Sequence, residues 1–334
     1  MDRRQRPGEI GESLTVRIAY LILAHDQPAH LQRLVQRLAA PGVAFYVHID
    51  AKSDINAFAA LGSTVTFCDR RVNCGWGDIS LVEATLELMQ CAAAAPGGFD
   101  RFILLSGACY PLQTPDYIAT FLAAHDGVEF IEVFALPNAT YGKRLERITR
   151  VWIRKGKPFA RVRWPLQRLL DKVLPVRNVE KVLAGGDPVT GSQWWCLSAE
   201  AVRHVLDVTA RQPALYRFCR FVDCPDEFYF QFILWNSRFR SRISHSLTFT
   251  HWAPGKTGPE VLDDRYLPQF EGPIVRDSEC NNSPGEKREV LFARKFSAAA
   301  TSLLDAIDVL AARRRRAADV EHILTTQKAR NGQN

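Results

Sequence analysis

Arg17-Ile18-Ala19-Tyr20-Leu21-Ile22-Leu23 is a short apolar run of the kind found in a buried parallel strand, and it ends in Ala24-His25-Asp26-Gln27-Pro28. From Pro28 the apolar positions Leu31, Leu34, Val35 and Leu38 recur at helical spacing. Pro41-Gly42 then closes that helix ahead of a second strand, Ala44 to Ile49. This is one βαβ unit. The alternation continues with a strand near Thr64 to Cys68, a helix from an Asp78 cap to Ala94, and a strand from Arg101 to Leu105. A helix begun by Thr114-Pro115 runs to about Ala124, and a strand covers Val128 to Phe134. Such alternation predicts an α/β fold with a mostly parallel sheet covered on both faces. Ligands of these sheets bind beyond the carboxyl ends of the strands, so the loops beginning at His25, Asp50, Arg70 and Ser106 are expected to carry the chemistry.

The chain has 334 residues, 47% of them hydrophobic, which is ample for one large α/β domain or two smaller ones and excludes disorder as the dominant state. Net charge is 43 − 36 = +7. That balance favours phosphate-bearing ligands, anionic membranes or nucleic acid. Neither G-x-G-x-x-G nor G-x-x-x-x-G-K-[ST] occurs in the post-strand loops, which argues against a dinucleotide-dependent dehydrogenase and a P-loop NTPase. The eight cysteines are scattered with no C-x-x-C pair, so free thiols in a reducing compartment are expected and no zinc site is. Met1 to Ser13 is polar, lacks the apolar core of a signal peptide, and is expected to be disordered, as is Gln327 to Asn334. With no run long enough to span a bilayer, the expected location is cytoplasmic, soluble or peripheral at the inner face of the plasma membrane.

Between Tyr141 and Lys172 eleven Lys/Arg stand against Glu146 and Asp171, interleaved with Trp152, Phe159 and Trp164. A solvated helical face, an anionic acceptor and an anionic membrane surface are all open readings; nucleic acid is not expected, because the aromatic spacing follows no recognised module. Thr190 to Leu197 reads as a Gly-led strand in which one of Trp194 and Trp195 can enter the core while the other lines a cleft for a sugar ring. Asp223-Cys224-Pro225-Asp226-Glu227 reads as a helix start, with Pro225 in the first turn and Asp223 as the cap. Its two adjacent acids either complement the helix dipole or do chemistry. The four arginines at 313–316 read as a solvated face on a terminal helix that begins near Ala298.

Several stretches, in order, resemble the core-2/I-branching β-1,6-N-acetylglucosaminyltransferase family, which also contains the peptide O-xylosyltransferases. They are Tyr20 to His25 with Leu31-Gln32-Arg33-Leu34, Tyr46-Val47-His48-Ile49-Asp50, and Trp76-Gly77 leading to Ser80-Leu81-Val82-Glu83-Ala84. Then come Leu105-Ser106-Gly107-Ala108-Cys109-Tyr110-Pro111-Leu112, Gly191-Ser192-Gln193-Trp194-Trp195, Pro225-Asp226-Glu227 and Phe292-Ala293-Arg294-Lys295-Phe296.

The resemblance implies a GT-A-like, Rossmann-related fold that uses a UDP-sugar and inverts the anomeric carbon without a bound metal. Consistently, no D-x-D triplet, the diphosphate-metal motif of other GT-A enzymes, occurs in the chain. The block 14–135 is expected to bind the nucleotide-sugar, 136–297 to complete the acceptor and catalytic half, and 298–334 to form a terminal helix and tail. By resemblance, Glu227 is the base and Lys295, with Arg294, neutralises the diphosphate; Arg276 is a candidate second cation. His25, His48, Asp50 and Trp76 are expected at the donor. Cys109, Tyr110, Gln193, Trp194, Trp195 and Asp226 are expected toward the acceptor. The xylosyltransferases carry an aspartate where this chain has Gln193, and glutamine cannot be a base, which favours Glu227 and a GlcNAc donor over xylose. Cys109 stands where the family usually has an acid. The expected acceptor is a glycan or glycolipid, in a bacterial-type cytoplasmic enzyme that builds a surface polysaccharide or glycolipid. A non-catalytic glycan- or membrane-binding protein on the same fold is the alternative of another class.

Overall fold

The computed structural model describes residues 16–153, 163–253, 258–277 and 288–331. The opening run forms β1 (Ile18–Ala24), followed by α1 (Pro28–Leu38), β2 (Val43–Ile49) and β3 (Thr66–Phe67). Next are α2 (Ile79–Ala93), β4 (Arg101–Ser106), β5 (Cys109–Pro111), α3 (Pro115–Ala124), β6 (Glu129–Ile131) and β7 (Phe134–Ala135). Both expected caps are present: the Asp78 side chain accepts from the Ser80 N–H and that of Thr114 from the Tyr117 N–H. Helices α4 (Glu146–Thr149), α5 (Arg163–Val173) and α6 (Glu180–Leu183) lead to β8 (Val189–Thr190) and β9 (Trp195–Ser198). Helices α7 (Ala199–Arg211), α8 (Pro213–Cys219) and α9 (Tyr229–Trp235) precede β10 (Ile243–Ser244) and β11 (Thr248–Thr250). The chain ends with β12 (Arg276–Asp277), β13 (Arg288–Glu289), β14 (Phe292–Arg294) and α10 (Thr301–Asn331).

Among the described residues the main sheet has seven strands in the order β10-β6-β9-β4-β1-β2-β3. Strand β1 lies between β2 and β4, parallel to both, and its alternation splits the core. Ile18, Tyr20 and Ile22 point to the side covered by Leu31 and Leu34 of α1 and Ile118 and Leu122 of α3. Ala19 and Leu21 point to the side covered by Val82 and Met89 of α2, Val202 and Val205 of α7, and Phe230 and Ile233 of α9. The expected mostly parallel α/β architecture is present, with one exception. β9 runs antiparallel to both neighbours, β4 and β6.

Several expectations are corrected. The strand read over Val128 to Phe134 breaks after Ile131, and β7 leaves the main sheet to pair with β8. The break lies where Gly191 passes Glu132, so closely that a Cβ on Gly191 would sit 1.8 Å from the Glu132 carbonyl oxygen. The strand read over Thr190 to Leu197 is likewise two strands, with Gly191 to Trp194 as a loop between them. The arginine run is not wholly solvated. Arg314 is half-buried and donates to the carbonyls of Gly272 (2.8 Å), Leu112 (2.8 Å) and Phe270, and Arg315 pairs with Asp116 at 2.7 Å. Helix α10 continues to Asn331, so the start of the tail expected to be disordered is helical, while Met1 to Ser13 lies outside the described residues.

A second sheet, β11-β14-β5, joins two distant motifs: Cys109 pairs with Arg294 and Tyr110 with Ala293. Helix α10 is pinned against it, because Asp308 accepts from Tyr110 Oη, Arg33 and Arg37 at 2.6–3.1 Å. Gly191→Ala is expected to lower stability by about 3 kcal/mol, as an overpacked site with the Glu132 backbone on one side and the Gln231 side chain also close. A urea denaturation midpoint measures it; an unchanged midpoint would show that the Gly191 to Trp194 loop can move away.

Candidate active site

The loops expected to carry chemistry converge at the carboxyl edge of the parallel strands. Asp50 directly follows β2, buried, with Oδ1 accepting the Lys52 N–H at 2.9 Å and Oδ2 3.3 Å from Lys52 Nζ. Arg71 donates to the Ile49 and Asp50 carbonyls at 3.0 and 2.7 Å, and Lys52 Nζ donates to the Cys74 carbonyl. The loops after β2 and β3 are thereby fastened together. His48 does part of this fastening. It is buried, its Nε2 accepts the Val72 N–H at 2.8 Å, and burial lowers its pKa, so it holds the β3 loop as a neutral ring and does not border an open cleft. His25 is exposed at the end of β1, 3.4 Å from Asp26.

The β3 loop ends at Trp76, which is 65% exposed, and the Gly77 carbonyl accepts the Cys224 N–H at 3.2 Å. That bond brings in the acidic turn. Pro225–Glu227 is a single 3₁₀ turn ahead of α9, entered through Cys224 at φ 51°. A non-glycine residue in the left-handed region ahead of proline is strained, as residues at functional sites often are. Asp223 is not the cap expected of it. No side chain caps the turn; the Asp223 N–H goes to the Arg147 carbonyl and its carboxylate lies 3.8 Å from Arg147 Nε.

The two neighbouring acids separate. Glu227 Oε2 accepts from Arg147 Nη2 at 2.7 Å and Lys143 Nζ at 2.9 Å. Burial pushes its pKa up, but Arg147 and Lys143 outweigh burial and the net shift is downward, so Glu227 stays ionised. Oε1 has no hydrogen-bond partner among the described residues. Asp226 is buried with Oδ1 unpartnered, and burial, then the charge of Glu227, raises its pKa well above the usual carboxylate range. Asp226 therefore sits beneath the site rather than against an acceptor.

Glu227 opens on a cleft of about 360 Å³ lined also by Trp76, Lys143, Arg144, Arg147, Trp152 and Trp252. Four cations, counting Arg150 as well, and three indoles give it the chemistry of a site for an anionic or sugar ligand. Lys143, Arg147 and Trp252 were not singled out by the sequence. The basic 141–172 stretch flagged the first two only collectively, and no local periodicity joins them, because Lys143 lies in a bridge to Asn138 ahead of α4, which holds Arg147; part of that stretch lies outside the described residues.

The cations of the F-A-R-K-F motif do not line that cleft; their strand is linked to it through β11. Thr250 pairs with Arg294, and Trp252, two residues on, forms a cleft wall. The Arg294 guanidinium lies 4.4 Å over the Trp194 ring, and burial lowers its pKa. Trp194 ends the loop whose first residue, Gly191, donates to the Glu227 carbonyl at 2.9 Å. One short loop thus connects base candidate to cation. Two buried donors along it, Gln193 Nε2 and Arg294 Nε, have no partner. Lys295 is exposed beside them.

Other expected residues are elsewhere. Trp195 is buried against Phe230, and Trp194 is buried with a face covered by Arg294, so neither offers a free ring face to a sugar. Tyr110 is buried and spends its hydroxyl on Asp308 and Arg33. Cys109 is buried, with Sγ accepting from the Ser106 N–H at 3.2 Å. Arg276 pairs in register with Glu289, beside Tyr117 on α3, at the far end of the run that leads to Arg294, so it is not brought to Lys295. The seven described cysteines are free thiols.

The Core-2/I-branching enzyme family model matches residues 18–269. The chain belongs to this family of glycosyltransferases. Its α/β fold is accordingly GT-A-like, as the sequence resemblance implied. Curated relatives include Xylosyltransferase oxt of Drosophila melanogaster, 26% identical over 85% of this chain and 32% of that protein. Xylosyltransferase 1 of Rattus norvegicus is 25% identical over 85% of this chain and 34% of its own length, and Xylosyltransferase 1 of Homo sapiens is 25% identical over 85% and 29%. The chain thus spans about a third of the length of the curated relatives it matches. Among solved structures, apo mouse xyloside xylosyltransferase 1 aligns over 85% of this chain and 99% of that one at 12% identity with a TM-score of 0.34, too distant to carry an argument.

The Asp226 shift sets a stability prediction. A raised folded-state pKa means stability is greatest while the buried carboxyl is protonated and falls as pH rises through the folded value. Asp226→Asn is expected to flatten that decline, so denaturant midpoints at pH 6 and pH 8 should differ less in the variant than in wild type. An equal pH dependence in both would place the ionisation elsewhere.

Proposed function

We propose that the chain is an inverting, metal-independent glycosyltransferase that moves a sugar from a UDP-sugar to a hydroxyl of a glycan or glycolipid. The observation that carries the reading is the Glu227 carboxylate, held ionised on Oε2 by Arg147 and Lys143, with Oε1 open in a cleft lined by tryptophans. In this mechanism the acceptor hydroxyl attacks C1 of the donor sugar, its proton passes to Glu227 Oε1, and UDP departs from the opposite face with the C1–O bond electrons. A single displacement of this kind inverts the anomeric centre. Lys295 and Arg294 neutralise the charge that develops on the diphosphate, a task that metal-dependent enzymes give to a D-x-D-bound ion and this chain lacks the motif to share. Asp50 accepts hydroxyl hydrogen bonds from the donor's ribose, and Trp76 offers an indole face to a sugar.

For the donor, Gln193 in place of the xylosyltransferases' aspartate supports N-acetylglucosamine. The second reading, xylose, is supported by the names of the curated relatives. A binding protein without catalysis is disfavoured by a P-D-E glutamate that retains both its ionisation and an open oxygen.

UDP release from UDP-N-acetylglucosamine in the presence of EDTA and an acceptor extract is the direct assay, with UDP-xylose beside it. Glu227→Gln should lower kcat by about 10²- to 10⁴-fold while donor binding persists; wild-type turnover would remove Glu227 as base. Lys295→Ala should weaken UDP binding roughly ten- to a hundredfold, the loss of a charge-assisted bond. Because the Glu227 pKa is lowered, the acid limb of kcat/KM should lie below the ordinary carboxylate range, and Arg147→Met should move it upward. An acid limb unmoved by Arg147→Met would mean another group controls it.

A further inference from the structure

Helix α5 presents its polar side to the protein and its apolar side to solvent. Gln167 is buried, and its Nε2 donates to the Val151 carbonyl and to Asp171 Oδ1, both at 2.9 Å. Asp171, one turn on, reaches Arg150 Nη1 at 3.2 Å. These polar bonds fasten the helix among the described residues. On the opposite face Leu166, Leu169 and Val173 are 38%, 57% and 66% exposed, at the i, i+3, i+7 spacing of one stripe. The ridge continues through Leu174 and Val176, the latter 75% exposed, and Phe221 at 42% flanks it where its carbonyl accepts from Arg177. Arg168 and Lys172 lie along the edge of the stripe, exposed and without an ion-pair partner among the described residues.

An apolar stripe edged by long cations suits the plane of a lipid headgroup layer, where leucines enter the acyl boundary and the cations reach phosphates. The charge of the region chooses the occupant. Arg168 and Lys172 are the described cations of α5, and in a second copy of this face they would meet their own charge, whereas an anionic bilayer complements them. The ridge also adjoins the cleft. Arg150 and Trp152 line the cleft, while Val151 and Ile153 between and beside them bond Gln167 of α5.

We propose that the α5 stripe and the Leu174 to Val176 run dock on an anionic bilayer and hold the mouth of the cleft at the lipid surface. The corollary, that the acceptor is carried on a lipid, rests on the transferase reading; the docking itself does not. Flotation with phosphatidylcholine vesicles, and with vesicles in which one lipid in three is phosphatidylglycerol, tests it on the full chain. Binding is expected only to the second, falling at least tenfold in Leu169→Ser/Val173→Ser and losing its preference for phosphatidylglycerol in Arg168→Gln/Lys172→Gln. All four side chains are exposed, so melting temperatures should match wild type, and UDP affinity should be unchanged. Glu227→Gln should float as wild type does, which separates docking from turnover. Absence of binding to either vesicle, or binding untouched by the leucine and valine substitutions, overturns the proposal. So does a concentration-dependent dimer that the same substitutions abolish.

Discussion

One carboxylate oxygen shared between two cations organises the site. Arg147 is buried and reaches Glu227 Oε2 and Thr190 Oγ1, while its own carbonyl takes the Asp223 N–H. A single guanidinium thus ties α4, β8 and the acidic turn to one point. In a half-buried setting, removing either charge leaves the other uncompensated, which costs more than the pair itself contributes. The arrangement also divides two adjacent acids by environment alone. Glu227 has cations and stays charged; Asp226, one residue earlier, has a buried unpartnered oxygen and a like charge beside it.

What could be read from the sequence follows the range of the interactions concerned. Strand β1 was legible because burial on both faces makes its residues almost uniformly apolar, and the caps at Asp78 and Thr114 were legible because a cap is a contact within three residues. The antiparallel direction of β9 was not, since hydrophobic periodicity has no sign. Glu227 was singled out by its motif and its environment was not: Lys143 and Arg147 precede it by some eighty residues, and no local pattern connects them. Tyr110 and Trp195 were misassigned for a physical reason. Aromatic residues with a polar handle suit a sugar cleft and a satisfied core equally well, and only the tertiary partners, Asp308 and Phe230, distinguish the two. Arg276 was separated from Lys295 by pairing with Glu289, a register that sequence spacing does not disclose.

The site is assembled from loops, yet little in it is loose. His48 and Arg71 fasten the loops after β2 and β3, the Gly77 carbonyl holds Cys224, and Gly191 holds the Glu227 backbone. Each contact is between backbone and a side chain or between two backbones, so the positions of the functional groups are set by the sheet beneath them.

The pairing of Cys109 with Arg294 has a consequence for how the molecule forms. The two residues are about 185 positions apart, and closing so long a loop brings an entropic cost before any contact offsets it. The β1–α1–β2 unit needs only neighbours and can order early, whereas the F-A-R-K-F strand must wait for a finished surface to join. The acidic turn is held by contacts of intermediate range, to Gly77, Lys143 and Arg147. The Cys109–Arg294 pairing is thus the contact that closes the longest of these loops.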